Sequence, residues 1–324
     1  MKGLRSLSLG IAVLAACGIA STQIASAQGD YPNQMVRMVV PFSAGSITDG
    51  LARILADKLS IVWKQQVIVE NRAGLAGTTS VAKAAPDGYT LMLTSNGHTI
   101  AGVINKNLQY DPVKDFAGVS QVAAVPMVMI VPPDFPAKTL KEFLEMAKDK
   151  PGQMNFSSAG VASTSFLSAE IMRQNAQVNM VHVPYKGAPE AVTAVVRGDA
   201  QMYFAPIPSA QELGQSGKVK VLAINSARRM PQLPDTPTVA ESGLPDYKYD
   251  SWFGVMAPAG TPKPLLDKIS RDIAAVLAMA DVKEKLEVQG SFPAPNKPEE
   301  FDAMIKGDTE RYGKILRDAG VGTN

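Results

Sequence analysis

The sequence predicts an α/β protein built as two lobes, and three observations carry that expectation. The chain has 324 residues, 46% of them hydrophobic, and a chain of that length more often divides into two cores than builds one. Short apolar runs of strand length alternate with amphipathic stretches, the pattern of a largely parallel sheet covered on both faces. A strand, a Gly/Ser loop and a helix follow one another near residue 40, and the same unit recurs near residue 155.

The first residues stand apart from the fold. Lys2 and Arg5 form a basic region ahead of the uncharged run Ser6 to Ala20, and Ala25-Ser26-Ala27 supplies the small residues a signal peptidase reads. Residues 1–27 are therefore expected to be a cleaved signal peptide, and the chain to be secreted. The run is short for a membrane span, which needs ~20 residues. A rival reading takes Leu14-Ala15-Ala16-Cys17 as a lipobox, with Cys17 lipidated. Against it, the apolar run continues through Ile19 and Ala20 and a good cleavage site follows. Cys17 is the only cysteine, so cleavage after Ala27 leaves none, and cysteine chemistry drops out although the compartment would permit it. Losing Lys2 and Arg5 leaves 30 basic groups against 30 acidic ones. A neutral chain without a Lys/Arg block gives no reason to expect nucleic acid or an anionic membrane surface as partner.

The elements follow in order. Met35 to Pro41 reads as a buried strand closed by proline. Phe42 to Asp49 is a Gly/Ser loop, and the next helix carries Leu51, Ile54, Leu55 and Leu59. Val67-Ile68-Val69 and Tyr89 to Thr94 are strands, with a Pro86-Asp87-Gly88 turn before the second. Val125 to Val131 is apolar and ends at Pro132-Pro133. Ala137 to Lys148 is an amphipathic helix, where Thr139 and Glu142 can form a capping box and Pro151-Gly152 is the stop. Met154 to Ser158 is a strand, Ala159 to Ser163 a loop, and Thr164 to Gln174 a helix. Val181-His182-Val183, Ala200 to Phe204 and Val219 to Ile224 are strands, and Pro231 to Pro245 is irregular. Tyr249 to Ala257 reads as a strand returning to the first lobe. Pro262 to Met279 and Pro298 to Leu316 are helices. The chain is thus expected to cross between lobes near Val125 to Val131 and again near Tyr249 to Val255, giving a first lobe of residues 28–125 plus 251–324 and a second of 126–250, with a ligand cleft between them.

The two loops are the residues most suited to ligand contact. Phe42-Ser43-Ala44-Gly45-Ser46-Ile47-Thr48-Asp49 ends at a helix start, where amides without intrahelical partners and the positive dipole end suit a carboxylate. Ser158-Ala159-Gly160-Val161-Ala162-Ser163-Thr164-Ser165 repeats the arrangement. The plainer reading of each is that its Ser and Thr are helix caps; one such loop in each lobe, at the carboxyl ends of strands, favours ligand contact. Asp49 would repel an anion it faced, so it is read as support for its loop. Ser95-Asn96-Gly97 offers a third wall. His98 is read as a loop or packing residue, His182 as part of a strand end, and Lys186 as a solvated lysine that could draw an anion.

No nucleophile elbow, P-loop, GxGxxG, HExxH or EF-hand loop is present, and two isolated histidines make a transition-metal site a poor expectation. Carboxylates are scattered and nothing singles out a pair for acid–base work. No enzyme activity and no cofactor or metal are expected.

The segments PFSAGSITDGLAR (41–53), VIVENRAGLAGTTSVAKAAPDGYTLML (67–93), YDPVKDFAGVS (110–120), VHVPYKGAPEAV (181–192), LPDTPTVAESGLPDY (233–247) and SWFGVMAPAGTP (251–262) closely resemble the Bug/TctC family, the periplasmic substrate-binding proteins of tripartite tricarboxylate transporters. The resemblance runs over essentially the whole chain after residue 27. It implies a periplasmic-binding-protein fold of the Venus-flytrap, type II-like kind, each lobe a mixed sheet flanked by helices. It also implies a small carboxylate as ligand and permease subunits of the transporter as partners; the chain is expected to be a monomer. The family's ligand loops correspond here to Phe42 through Asp49, Ser95 to Gly97, and Gly160 through Ser165. Three departures matter: Gly45-Ser46 stands where the family usually has Gly-Gly, Phe166 where it often has histidine, and Ala205 where an acidic residue is common. Without that acid a ligand ammonium group loses a partner, so the expected ligand is a carboxylate lacking an amino group. A co-receptor serving a sensor system is the alternative function, and a secreted enzyme a more distant one.

Overall fold

The computed structural model describes residues 31–320 apart from Lys106, Val161, Ala162, Lys186, Lys248, Asp250 and Ala319. The signal-peptide reading of residues 1–27, with Cys17, and the reading of Lys186 lie outside the described residues. The chain begins with β1 (Val36–Val40), α1 (Ile47–Trp63), β2 (Val67–Asn71), α2 (Leu75–Ala82) and β3 (Thr90–Ser95), then a 3-10 turn (Asn96–Ile100) and α3 (Ala101–Ile104). It continues through β4 (Phe116–Ala124), β5 (Met127–Val131), α4 (Leu140–Asp149), β6 (Asn155–Ser158), α5 (Thr164–Ala176), β7 (Val181–Pro184) and α6 (Ala188–Arg197). The rest is β8 (Tyr203–Pro206), α7 (Ile207–Gln215), β9 (Lys220–Ile224), β10 (Trp252–Pro258), α8 (Lys263–Leu277), α9 (Ala280–Val288), β11 (Phe292–Pro293) and α10 (Pro298–Asp318). Among these described residues no helix is long and apolar enough to cross a membrane.

Two sheets organise the molecule. The first has the order β11-β4-β10-β3-β1-β2, with β2, β1 and β3 parallel and β10 antiparallel to both its neighbours. In the second, β5 lies between β8 and β9 and runs against both, while β6 and β7 are parallel. A bridge between Phe156 and Met202, with Ser157 N–H donating to Met202 O at 2.9 Å, joins the pieces into one sheet ordered β7-β6-β8-β5-β9. The alternation of strands and helices suggests a largely parallel sheet, but both sheets are mixed, as the family resemblance implies. The reason is connectivity: parallel neighbours need a crossover helix on their own sheet, and both β5 and β10 arrive directly from the other lobe.

The crossings are bonded to each other. Val125 N–H donates to Ser251 O at 3.1 Å, and the Ser251 hydroxyl donates to Val125 O. The first crossing is accomplished by Val125, because Met127 to Val131 already forms the central strand of the second sheet.

Packing explains the element boundaries. Every residue of β10 is buried, as the middle of a two-faced sheet requires. Helix α4 places Leu140, Phe143, Leu144 and Ala147 on one buried face. Its cap is a variant of the expected box: Thr139 accepts from Glu142 N at 3.2 Å, while the Glu142 carboxylate reaches back past the cap to Lys138 N at 2.7 Å. Helix α10 serves both cores. Phe301 and Ile305 pack with Trp252 in the first lobe, whereas Tyr312 and Leu316 pack with Tyr249 and α5 in the second. Phe301 lies on bare backbone at Gly254, where an added Cβ would stand 2.2 Å from the ring. Trp252 donates from Nε1 to Asp308 Oδ2 at 2.8 Å.

Candidate functional site

The first loop is drawn tight by the side chain at the start of its helix. Helix α1 begins at Ile47, so the loop expected to run to Asp49 is shorter, and Ser46 is the N-cap, accepting from Asp49 N at 3.2 Å. Asp49 is 4% exposed. Its carboxylate accepts from Gly45 N at 2.9 Å, from Asn71 Nδ2 at 2.9 Å and from Arg53 Nε at 3.1 Å. Asn71 also donates to Phe42 O at 3.2 Å. Burial pushes the Asp49 carboxyl upward, but the Arg53 guanidinium, the Gly45 N–H and the Asn71 amide outweigh it, and its pKa lies below the ordinary value. Asp49 therefore shapes the loop, while Ser43, Ala44 and Gly45 remain exposed and Thr48 is buried.

Replacing Asp49 by alanine is expected to lower unfolding free energy by about 1–3 kcal/mol, because Gly45 and Asn71 lose a charged acceptor. Urea denaturation at pH 7 measures it. An Asp49→Ala chain as stable as the parent would mean that these bonds contribute nothing net.

The second loop is a contact between lobes. Asn96 is 0% exposed; it donates to Tyr249 OH at 2.7 Å and accepts from Thr164 Oγ1 at 3.3 Å. Tyr249 OH in turn donates to Thr164 O at 3.3 Å. The carboxyl end of β3 is thereby held against the first turn of α5. Ser95 and Gly97 flank Asn96 and are buried as well.

The third loop is closed by its own hydroxyls. Ser163 caps α5, accepting from Phe166 N at 3.2 Å, and gives its proton to Gly160 O at 2.6 Å. Ser165 sits 2.9 Å from Ser163 Oγ and accepts from Ala159 N at 3.1 Å. Ser158 accepts from Gly160 N at 3.1 Å and pairs with His182 Nε2 at 2.7 Å. Val161 and Ala162 of this loop lie outside the described residues. The imidazole of His182 is stacked on Phe156 and tilted against Phe166, and desolvation takes its pKa down to about 4 against the pull of Glu170. This serine–histidine pair is not exposed for nucleophilic work, since Ser158 is 0% exposed; it fixes the loop. Among the described residues no group of three or more His, Asp or Glu side chains is placed to hold a metal ion.

The residues singled out from sequence thus fall into places of different kinds. Asn96 and Thr164 meet across the lobes. Ser158, Gly160, Ser163 and Ser165 form one network, and Phe42, Gly45, Ser46 and Asp49 belong to another. Phe42 and Gly97 share the wall of a recess of about 290 Å³ in the first lobe. Ala205 is the exception: it is 0% exposed in an apolar cluster with Val128, Ala194 and Ile224. Its side chain packs into the core on one face of β8. His98 is buried too, its Nε2 bonded to Pro112 O at 2.8 Å and its ring stacked on Tyr110. Sequence reasoning missed Asn71, Arg53 and Tyr249, which anchor the loops through side chains distant in the chain. No local pattern signals such partners.

Residues 51–321 match the family model described as the tripartite tricarboxylate transporter family receptor, TctC. The solved periplasmic binding protein BugD is 34% identical, with a TM-score of 0.76 over 90% of this chain and 99% of its own. A solved R. palustris protein described with adipate is 31% identical, with a TM-score of 0.78 over 90% of this chain and 99% of its own. MatC from Rhodopseudomonas palustris, with bound malate, is 31% identical, with a TM-score of 0.74 over 88% of this chain and all of its own.

Proposed function

Because the chain belongs to the TctC family of tripartite tricarboxylate transporter receptors, Bug-type periplasmic binding proteins, we propose that it captures a small organic carboxylate between its lobes and delivers it to the membrane subunits of such a transporter. On this reading residues 28–125 plus 251–324 and residues 126–250 are the lobes that close, the receptor acts as a monomer, and residues 1–27 direct its export. It performs no chemical step on its ligand. The observation that carries the reading is the pair of loops at the starts of α1 and α5, the second held against β3 by the Asn96–Thr164 bond. Helix starts of this kind suit a carboxylate through unpaired amides and the positive dipole end. The two R. palustris relatives, one with adipate and one with malate, support the ligand class.

The ligand lacks an amino group. Asp49 is the acid within the three loops, and its oxygens are engaged by Gly45, Asn71 and Arg53. Ala205 offers no charge either. An ammonium group would be stripped of water without an anion to receive it.

A thermal-shift screen of the purified protein against carboxylates paired with their amino analogues tests both statements. A ligand that binds the folded state alone at about a hundred times its dissociation constant adds about 2.7 kcal/mol of stability. The expected result is a raised Tm with a carboxylate and none with its amino analogue. A rise confined to amino acids would remove the second statement, and no rise with any carboxylate would remove the first.

A further inference from the structure

We propose that the recess beside the first loop seats the body of the ligand, and that the ligand is a monocarboxylate with an apolar aliphatic or aromatic body. The inference rests on the carboxylate reading above and narrows it. The recess is bounded by Phe42 of the first loop and Gly97 of the second, so it adjoins two of the loops to which the carboxylate is assigned above. Its walls are largely apolar: Phe42, Leu75, Ala101, Ile104 and Tyr110 all contribute. Leu75 is 42% exposed, a large apolar side chain left partly uncovered. At about 290 Å³ the space is near the lower limit of ~300 Å³ for small-molecule sites, which suits a compact body.

Charge points the same way. Among the described residues the recess is lined by no Lys, Arg, Asp or Glu, and its polar side chains are those of Thr78, Thr94, His98 and Asn105 beside the Tyr110 hydroxyl. The Nε2 of His98 must carry the hydrogen that bonds Pro112 O, and burial keeps the ring neutral above a pKa of about 4. A second carboxylate entering this space would shed its water against these apolar walls. Methylene or ring carbons would instead cover Leu75 and Phe42 and gain with every apolar contact. The relative solved with adipate holds a dicarboxylate, so this chain and that relative should differ in preference.

Calorimetric titration of the purified protein with two matched pairs decides the point: hexanoate against adipate, and benzoate against terephthalate, with acetate as the carboxylate alone. In at least one pair the monocarboxylate is expected to bind about tenfold or more tighter than its dicarboxylate partner and than acetate, the equivalent of burying about two methylenes. Leu75→Lys, at an exposed position, should reverse that pair's order by about tenfold, with circular dichroism confirming the fold. A dicarboxylate that binds as tightly as its monocarboxylate in both pairs, or acetate that binds as tightly as either, overturns this proposal and leaves the carboxylate reading intact. No binding by any of the five, with no response in the wider carboxylate screen, overturns both.

Discussion

At pH 4.5 the ligand-free protein should be less stable than at pH 7 by about 4 kcal/mol, chiefly because two histidines are folded in the neutral form. His98 and His182 each have a pKa lowered from 6.5 to about 4, desolvation being the largest cause in both. Carbonyl contact at Pro112 and the charge of Glu170 pull the other way without prevailing. For a base whose folded pKa lies below its unfolded one, the unfolded chain binds more protons between the two values. Stability is therefore fully present above about 6.5 and lost as pH falls toward 4, at about 1.4 kcal/mol per unit for each group. The total is discounted for His182, which is only partly shielded from water. Asp49, whose pKa is depressed, adds its loss only at lower pH, as the carboxylate itself takes up a proton. Urea unfolding across pH 4.5 to 7 measures the slope. His98→Phe keeps a ring against Tyr110 and Phe116 and should remove roughly half of it. A flat profile would show that burial does not hold these rings neutral.

Trp252→Ala should cost about 3–5 kcal/mol, the range for deleting a buried aromatic from a packed core. Trp252 is 0% exposed, meets Phe301 edge-on at 5.1 Å and donates to Asp308. The truncation removes both contacts at once, and it strips Asp308 of a buried donor. Trp252→Phe should recover part of the packing and none of the hydrogen bond, falling between the two in chemical denaturation. A Trp252→Ala chain within 1 kcal/mol of the parent, measured against the cavity range, would mean that α10 does not depend on this contact.

Much of this architecture was legible in the residues. Strands such as Val36–Val40 and helices such as Leu140–Asp149 announce themselves because one is apolar apart from Arg37 and the other has one apolar face. Strand β4, FAGVSQVAA, does not: its small residues are buried on both sides, so no alternation remains. Helix α2 is short and contains Gly77, where a Cβ would stand 2.0 Å from Arg72 O; the glycine that hides the helix from a propensity reading is the one its packing demands. The site was legible in part for a related reason. Sequence reveals hydroxyls and small residues at helix starts, but not whether Ser163 and Ser165 turn toward a ligand or toward each other. Here they turn toward each other. The position of Ala205 came through family resemblance, and no periodicity would have told that its side chain faces the core.

The placement of β10 also dictates an order of assembly. Its neighbours β3 and β4 end at Ser95 and Ala124, yet the strand that joins them starts at Trp252. A chain growing from its amino end therefore finishes every strand of the second sheet while the first still has two unpaired edges at its centre. Closing that gap is a long-range event, slow because distant segments must meet before any pairing is gained. Until residue 258 has emerged, the first sheet exists only as two strips, β2-β1-β3 and β4. A chain stopped short of that point carries an assembled second sheet and a first one open to proteases, and the last quarter of the sequence sets the moment when the whole becomes a receptor.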